Sequence, residues 1–241
     1  MSSYRRSPAA TIALSFIFPA LTIVVTPLVA SAGSLTVFSD NFESGQLPGE
    51  FSNAGEIDAT EGYNPLGFGE YFLHNSTHPA APTFLELTGL PEHTTVDISF
   101  LLAIIDSWDG NGENTFGPDF FNVRVDGVTV FSHTFSNKGD STQSYSAPPG
   151  GVLADSQILG FNTYEDSAYI MGLEPSLQSI PHSGSTLFIE FFASGAGWQG
   201  NTDESWAIDN VVVCINAVPE PASVALLAFG GLIAIRRKRQ A

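Results

Sequence analysis

Val96-Asp97-Ile98-Ser99-Phe100-Leu101-Leu102-Ala103-Ile104 decides the fold class. Val96, Ile98, Phe100, Leu102 and Ile104 stand two apart, with Asp97, Ser99, Leu101 and Ala103 between them. A period of two is the signature of a β-strand, because successive side chains point to opposite faces; the stretch predicts a long strand buried chiefly on one face. Downstream, Phe121, Val123 and Val125 alternate with Asn122 and Arg124, and Asp126-Gly127 leads into residues 128–131. Asp-Gly between two β-rich runs predicts a two-residue hairpin turn, since both residues tolerate a positive φ. Further strands are expected at 35–38, 69–73, 83–87, 186–193 and 205–215. Nothing in residues 33–217 has the 3.6-residue apolar period of an amphipathic helix. Gly and Pro punctuate the strands at intervals suited to two packed antiparallel sheets, so the expected class is an all-β, jelly-roll-like sandwich. Residues 136–185 read as the least ordered part, with Pro148-Pro149-Gly150-Gly151 as a breaker.

Both ends differ from this body. Arg5-Arg6, an apolar run over 9–29 and Ala30-Ser31-Ala32 compose a secretory leader over 1–32, with the small residues Ala30 and Ala32 suited to signal peptidase. At the other end Pro219-Glu220-Pro221 precedes an uncharged run over 222–235 and then Arg236-Arg237-Lys238-Arg239. The two prolines disfavour helix across Glu220 and hold the triplet extended. The apolar run, as a helix, would cover roughly 21 Å, short of the ~30 Å hydrocarbon core, so it spans only with bilayer thinning and snorkelling of the four cations. Those cations keep the C-terminus on the cytoplasmic side of an inner membrane and leave the body outside. An anchor that is never cut is the alternative.

The three-part segment over 218–241 resembles the PEP-CTERM signal. The resemblance implies recognition by an exosortase at Pro219, Glu220 and Pro221, transient membrane anchoring by a C-terminal helix, and release to a cell surface or polysaccharide matrix. The organisation is then a leader over 1–32, a sandwich over 33–217, and a sorting segment over 218–241.

Charge excludes one class of function. Only Arg124 and Lys138 among the eight Lys and Arg lie in the body, against 25 Asp and Glu, all of them between Asp40 and Glu220, a net of −23. Such a chain cannot bind nucleic acid by neutralising phosphates. The excess keeps an exported protein soluble, and it also invites a hard cation such as Ca²⁺. Cys214, the single cysteine, excludes an internal disulfide; it lies in Val211-Val212-Val213-Cys214-Ile215 and reads as a buried, inert thiol.

Four short texts, Asp40-Asn41-Phe42-Glu43-Ser44-Gly45, Leu90-Pro91-Glu92-His93, Ile105-Asp106-Ser107-Trp108-Asp109-Gly110 with Gly117-Pro118-Asp119, and Glu204-Ser205-Trp206-Ala207-Ile208-Asp209-Asn210, resemble a recurring exported β-sandwich. The first and last also resemble the terminal strands of concanavalin-A-like and carbohydrate-binding jelly rolls. That resemblance implies a structural Ca²⁺ held by Glu43 and Asp209, with Asp40 as a further ligand. A second set of cation ligands is Asp106, Asp109 and Asp119 in a glycine-bent loop, whose spacing departs from the EF-hand order; an Asx-rich turn is the alternative. Trp198 and Trp108, in loops, would offer rings for stacking on sugars; the alternative is that Trp198 and Trp206 cover an apolar edge.

Gly55-Glu56-Ile57-Asp58-Ala59-Thr60-Glu61 matches the G-E-x-D-x-x-E text of a jelly-roll glycoside hydrolase family, in which Glu56 and Glu61 would be the catalytic pair. It stands too near the start of the body to sit in that family's cleft, and 60–65 suits a loop. No H-E-x-x-H pair, G-x-S-x-G elbow or phosphate-cradling loop occurs. The expected function is that of a non-enzymatic, exosortase-processed surface or matrix protein associated with exopolysaccharide or biofilm, with a calcium-stabilised glycan-binding module as the alternative and a hydrolase a distant third.

Overall fold

The computed structural model describes residues 33–111, 116–137 and 142–218. The leader with Ala30 and Ala32, and the segment with Pro219, Glu220, Pro221, Arg236, Arg237, Lys238 and Arg239, lie outside the described residues.

The alternating stretch is the centre of the molecule. It forms β6 (His93–Asp106), paired antiparallel along most of its length with β13 (Glu204–Ala217). β13 is flanked on its other side by β4 (Tyr71–Asn75) near its start and by β1 (Ser34–Asp40) near its end. The change of neighbour falls beside a register shift between Asp209 and Val212, where Asn210 has φ 50°. Asn tolerates that left-handed backbone better than most residues, and a bulge there re-aims the strand. β3 (Glu56–Ala59) extends the sheet beyond β4, and β9 (Val152–Gln157) and β10 (Asp166–Ile170) extend it beyond β6. β11 (Ile180–Pro181) adds a short pairing to the start of β6.

The second sheet runs β2 (Phe51–Asn53), β5 (Thr83–Thr88), β12 (Thr186–Ser194), β7 (Phe120–Val125), β8 (Val128–Thr134). Its inner face carries Leu85, Leu187, Ile189, Phe191, Phe121 and Val123 against Phe100, Leu102, Trp206 and Ile208 of the first sheet. Phe100 meets Phe191 edge-on at 5.3 Å, and Phe121 meets Trp206 at 5.2 Å. The architecture is the antiparallel β-sandwich read from the alternation. The hairpin is also as expected: Asp126 and Gly127 have φ 49° and 78°, and Val125 pairs with Val128.

Three features depart from the sequence reading. β6 is one-sided only as far as Leu101; from Leu102 to Asp106 every residue is buried. A second apolar cluster lies on that outer face, built from Ala103, Ile105, Ala168 and Ala207 under Tyr63, Phe68 and Phe72, with Leu159 and Phe161 against it. Tyr63 comes from a 3-10 turn at Glu61–Leu66 that folds over the sheet. Secondly, residues 142–185 are far from orderless: they supply β9, β10 and β11, and Tyr145, Tyr169 and Met171 join Phe131 and Phe135 in the core. Their strands are short and their partners distant in sequence, so no local period reveals them. The Pro148-Gly151 segment does act as a turn, closed by the Gly151 N–H to the Pro148 carbonyl at 2.8 Å. Thirdly, Cys214 is half-buried, not buried; it faces outward between the core residues Val213 and Ile215, with Sγ 3.4 Å from the Thr36 hydroxyl. Among the described residues no helix is long and apolar enough to cross a membrane.

Candidate metal centre

The end of β6 and the start of β13 adjoin, Asp106 opposite Glu204. The loops leaving and entering this end of the sheet pack against each other: Ser107 donates from its backbone N–H to the Asp203 carbonyl and from its hydroxyl to the Asp203 carboxylate. The chain then turns so that the Asp109 N–H reaches Asp119 Oδ2 at 2.7 Å, just before β7. Residues 195–200 close over this corner. Only a glycine fits at 197, where a Cβ would stand 2.1 Å from the Phe116 carbonyl oxygen. That approach sets the Gln199 N–H 2.7 Å from Glu204 Oε2.

The result is a group of three acids, two from the connection between β6 and β7 and one from the start of β13. Asp109, Asp119 and Glu204 each bring one carboxylate oxygen within 4.8 Å of the others, and all three residues are buried. Glu204 is fully buried, and its Oε1 has no hydrogen-bond partner among the described residues. Burial, and next the charge of Asp119, hold the Glu204 carboxyl well above the usual carboxylate range, against the Gln199 N–H, which lowers it. A cavity of about 190 Å³ adjoins the group, lined by Asp109, Ser107, Phe116, Tyr164, Gln199 and Asp203.

The expected set of Asp106, Asp109 and Asp119 is therefore divided. Asp106, with φ 66°, sends its carboxylate elsewhere: Oδ2 accepts from Asn162 at 2.8 Å, and its backbone N–H donates to Asp166 Oδ1 at 2.9 Å. Its pKa is raised to about 6, first by burial and, among the charges, by Asp166. Glu204 takes its place in the cluster. Glu204 stood in a quoted motif, but the register that brings it to Asp109 and Asp119 depends on β6 pairing with β13, about a hundred residues apart in sequence.

The terminal-strand acids do come near each other. Asp40 ends β1, Asp209 lies at the bulge of β13, and Glu43 follows in the loop. Their carboxylates bind backbone amides: Glu43 Oε1 accepts from Glu70 at 2.7 Å and Tyr71 at 3.2 Å, Asp209 Oδ2 accepts from Gly69 at 3.2 Å, and Asp40 Oδ1 accepts from Phe42 at 2.7 Å. Gly69 is what admits Glu43, since a Cβ there would fall 1.8 Å from Oε1. Burial, then Glu43 and Asp40 among the charges, raise Asp209 to about 6. Glu43 and Asp209 tie the loop after β1 and β13 to the segment that leads into β4.

Trp198 and Trp108 are not offered to solvent. Trp108 is fully buried and donates from Nε1 to the Ser205 carbonyl at 2.8 Å; Trp198 is 8% exposed and donates to the Thr77 carbonyl at 3.0 Å. The two rings meet edge-on at 5.2 Å. Both rings are buried and have satisfied their single polar handle internally, so the stacking surface expected of them is absent. Glu56 and Glu61 are both exposed, and β3 ends at Ala59, so Glu61 lies in the following 3-10 turn and not on the same strand as Glu56. His93 is buried at the start of β6, with Nδ1 2.6 Å from the Pro91 carbonyl and Nε2 2.6 Å from His182 Nδ1, which is a packing role.

No curated protein matches the chain. Among solved structures, the xylan-binding domain CBM22-1 of Paenibacillus barcinonensis Xyn10C is similar at 14% identity over 79% of this chain and 100% of that one, with TM-score 0.37. The Agl-KA catalytic domain is similar at 12% identity over 82% of this chain and 30% of that one, TM-score 0.35. A GH87 alpha-1,3-glucanase catalytic domain in complex with tetrasaccharides is similar at 12% over 81% and 30%, TM-score 0.31. At this similarity they assign neither ligand nor activity to this chain. Residues 217–240, by contrast, match the model of the PEP-CTERM protein-sorting motif, and the chain carries that sorting motif at its C-terminus.

Proposed function

We propose that this chain is an exported, exosortase-processed surface or matrix protein, anchored transiently in the inner membrane, whose β-sandwich is non-enzymatic and associates with exopolysaccharide. The observation that carries the reading is the sorting motif over 217–240, directly after the last strand of the sandwich. The body supports it: Glu56 and Glu61 lie exposed on different elements. Mass spectrometry of the C-terminus in the native host, with fractionation, tests the proposal. The expected product ends near Pro219-Glu220-Pro221 and is recovered outside the inner membrane, and Glu220→Ala leaves it uncut. An intact chain in the cytosol, both ends present, overturns it.

A second reading, glycan binding, is favoured by one surface other than the expected tryptophans. On the outer face of the five-stranded sheet Phe84 and Phe188 stand half-buried with ring centroids 4.9 Å apart, and the Arg124 guanidinium lies 4.4 Å from the Phe192 ring centroid. Half-exposed rings with a nearby cation offer an apolar platform with a hydrogen-bond donor beside it. Affinity electrophoresis against xylan, glucans and the host's own exopolysaccharide checks this: retardation of the wild type, lost in Phe188→Ala, supports the reading, and no retardation on any polymer ends it.

A further inference from the structure

We propose that Asp109, Asp119 and Glu204 form a buried site for one divalent cation of the calcium class, at the corner where β6, the loop before β7, and β13 converge. The inference is separate from the sorting role and from the terminal-strand acids. It stands on two observations. One carboxylate oxygen from each residue lies within 4.8 Å of the other two, in a place where all three residues are buried. Independently, Glu204, with no exposed surface, points an Oε1 that no donor satisfies among the described residues. An unsatisfied buried carboxylate oxygen is expensive, and natural proteins answer that deficit with a donor or a cation.

The donor set selects the class of metal. It contains carboxylates and neither thiol nor imidazole, which suits a hard cation over zinc or copper. Calcium takes six to eight oxygens, beyond what three carboxylates supply. The adjoining cavity of about 190 Å³ has room for water, and Ser107 and Asp203 line it with further oxygens. A cation here would tie both ends of the connection between β6 and β7, at Asp109 and Asp119, to the start of β13 in a chain whose single cysteine allows no internal disulfide.

The test uses the full-length protein stripped of metal, titrated with CaCl2 and, separately, MgCl2 by calorimetry, with melting temperature followed in parallel. Calcium is expected to bind and raise the melting temperature. Glu204→Gln keeps an acceptor for Gln199 while removing the charge; it should melt higher than the wild type in chelator and lose calcium affinity at this site by ten-fold or more. Asp119→Asn is the second variant should Glu204→Gln fail to fold, with the same loss of affinity expected. The double substitution Glu43→Gln, Asp209→Asn should leave the binding in place, which separates this site from the terminal strands. Absence of binding by either metal in the wild type, or wild-type affinity in Glu204→Gln or Asp119→Asn, overturns the proposal. Loss of binding in the terminal-strand double variant alone does so as well.

Discussion

Asp106 shows how position sets the chemistry of one carboxyl. Buried at the end of β6, it is 1% exposed, and its pKa rises from 3.8 to about 6. Between those values the folded chain holds a proton that the unfolded chain has released. Stability is therefore greatest below the lower value and falls as pH rises through the window, by at most about 3 kcal/mol from this residue. Asp106→Asn should flatten that slope and raise the melting temperature at pH 7 in the presence of chelator. Asn keeps an acceptor for Asn162 and tolerates the φ of 66°. Melting curves from pH 4 to 7 check this; a variant with the same pH slope as the wild type would place the slope on other acids. Asp166 and Asp209 are also raised by burial and add to the trend in the same direction, so the difference between variant and wild type is the informative quantity.

Among the elements, the loop over 195–200 has the most specific demand. Its backbone lies against that of Phe116, and Gly197 has no room for a side chain. A methyl group there meets the Phe116 carbonyl oxygen and carbonyl carbon at 2.1 and 2.2 Å, neither of which can swing aside as a side-chain end could. Gly197→Ala should shift the loop, break the contact of the Gln199 N–H with Glu204 and destabilise the fold by roughly 1–3 kcal/mol, as overpacking does. Urea unfolding measures the loss. A stability within 0.5 kcal/mol of the wild type, a change usual for surface positions, would show that the loop moves freely. Burial of Trp198 follows from the same approach, so its fluorescence should shift toward the red in the variant as water reaches the ring.

For the molecule as a whole, charge dominates. A net of −23 between Asp40 and Glu220, with Arg124 and Lys138 as the only cations in that span, leaves the folded body repelling itself. Screening lengths fall from ~30 Å at 0.01 M salt to ~8 Å at 0.15 M, so the compact state gains more than the expanded one as salt is added. The melting temperature of the metal-free protein should therefore rise between those salt concentrations, equally with NaCl and choline chloride. A midpoint that stays level or falls would mean that favourable ion pairs outweigh the repulsion. Two close pairs fit poorly with that outcome: Arg124 and Glu190 are 3.5 Å apart at the surface, and the His74 to Asp58 contact has its histidine pKa lowered by burial.

The amino-acid sequence by itself determined what is local. Alternation in 96–104 and 121–125, the Asp-Gly turn and the absence of any 3.6-residue period were enough for an antiparallel sandwich, because side-chain direction in a strand is a property of neighbouring residues. The sorting segment was legible for the same reason: prolines, an apolar run and basic residues act in the order in which they occur. Tertiary structure alone decided the rest. Trp108 and Trp198 read as loop residues, yet their burial depends on each other and on carbonyls of Ser205 and Thr77 far along the chain. Glu204 joins Asp109 and Asp119, and Asp106 leaves them, only once β6 and β13 are in register. Which carboxylates converge is a matter of strand pairing over long sequence separations, and that pairing is set by the summed burial of two sheets, which no single stretch contains.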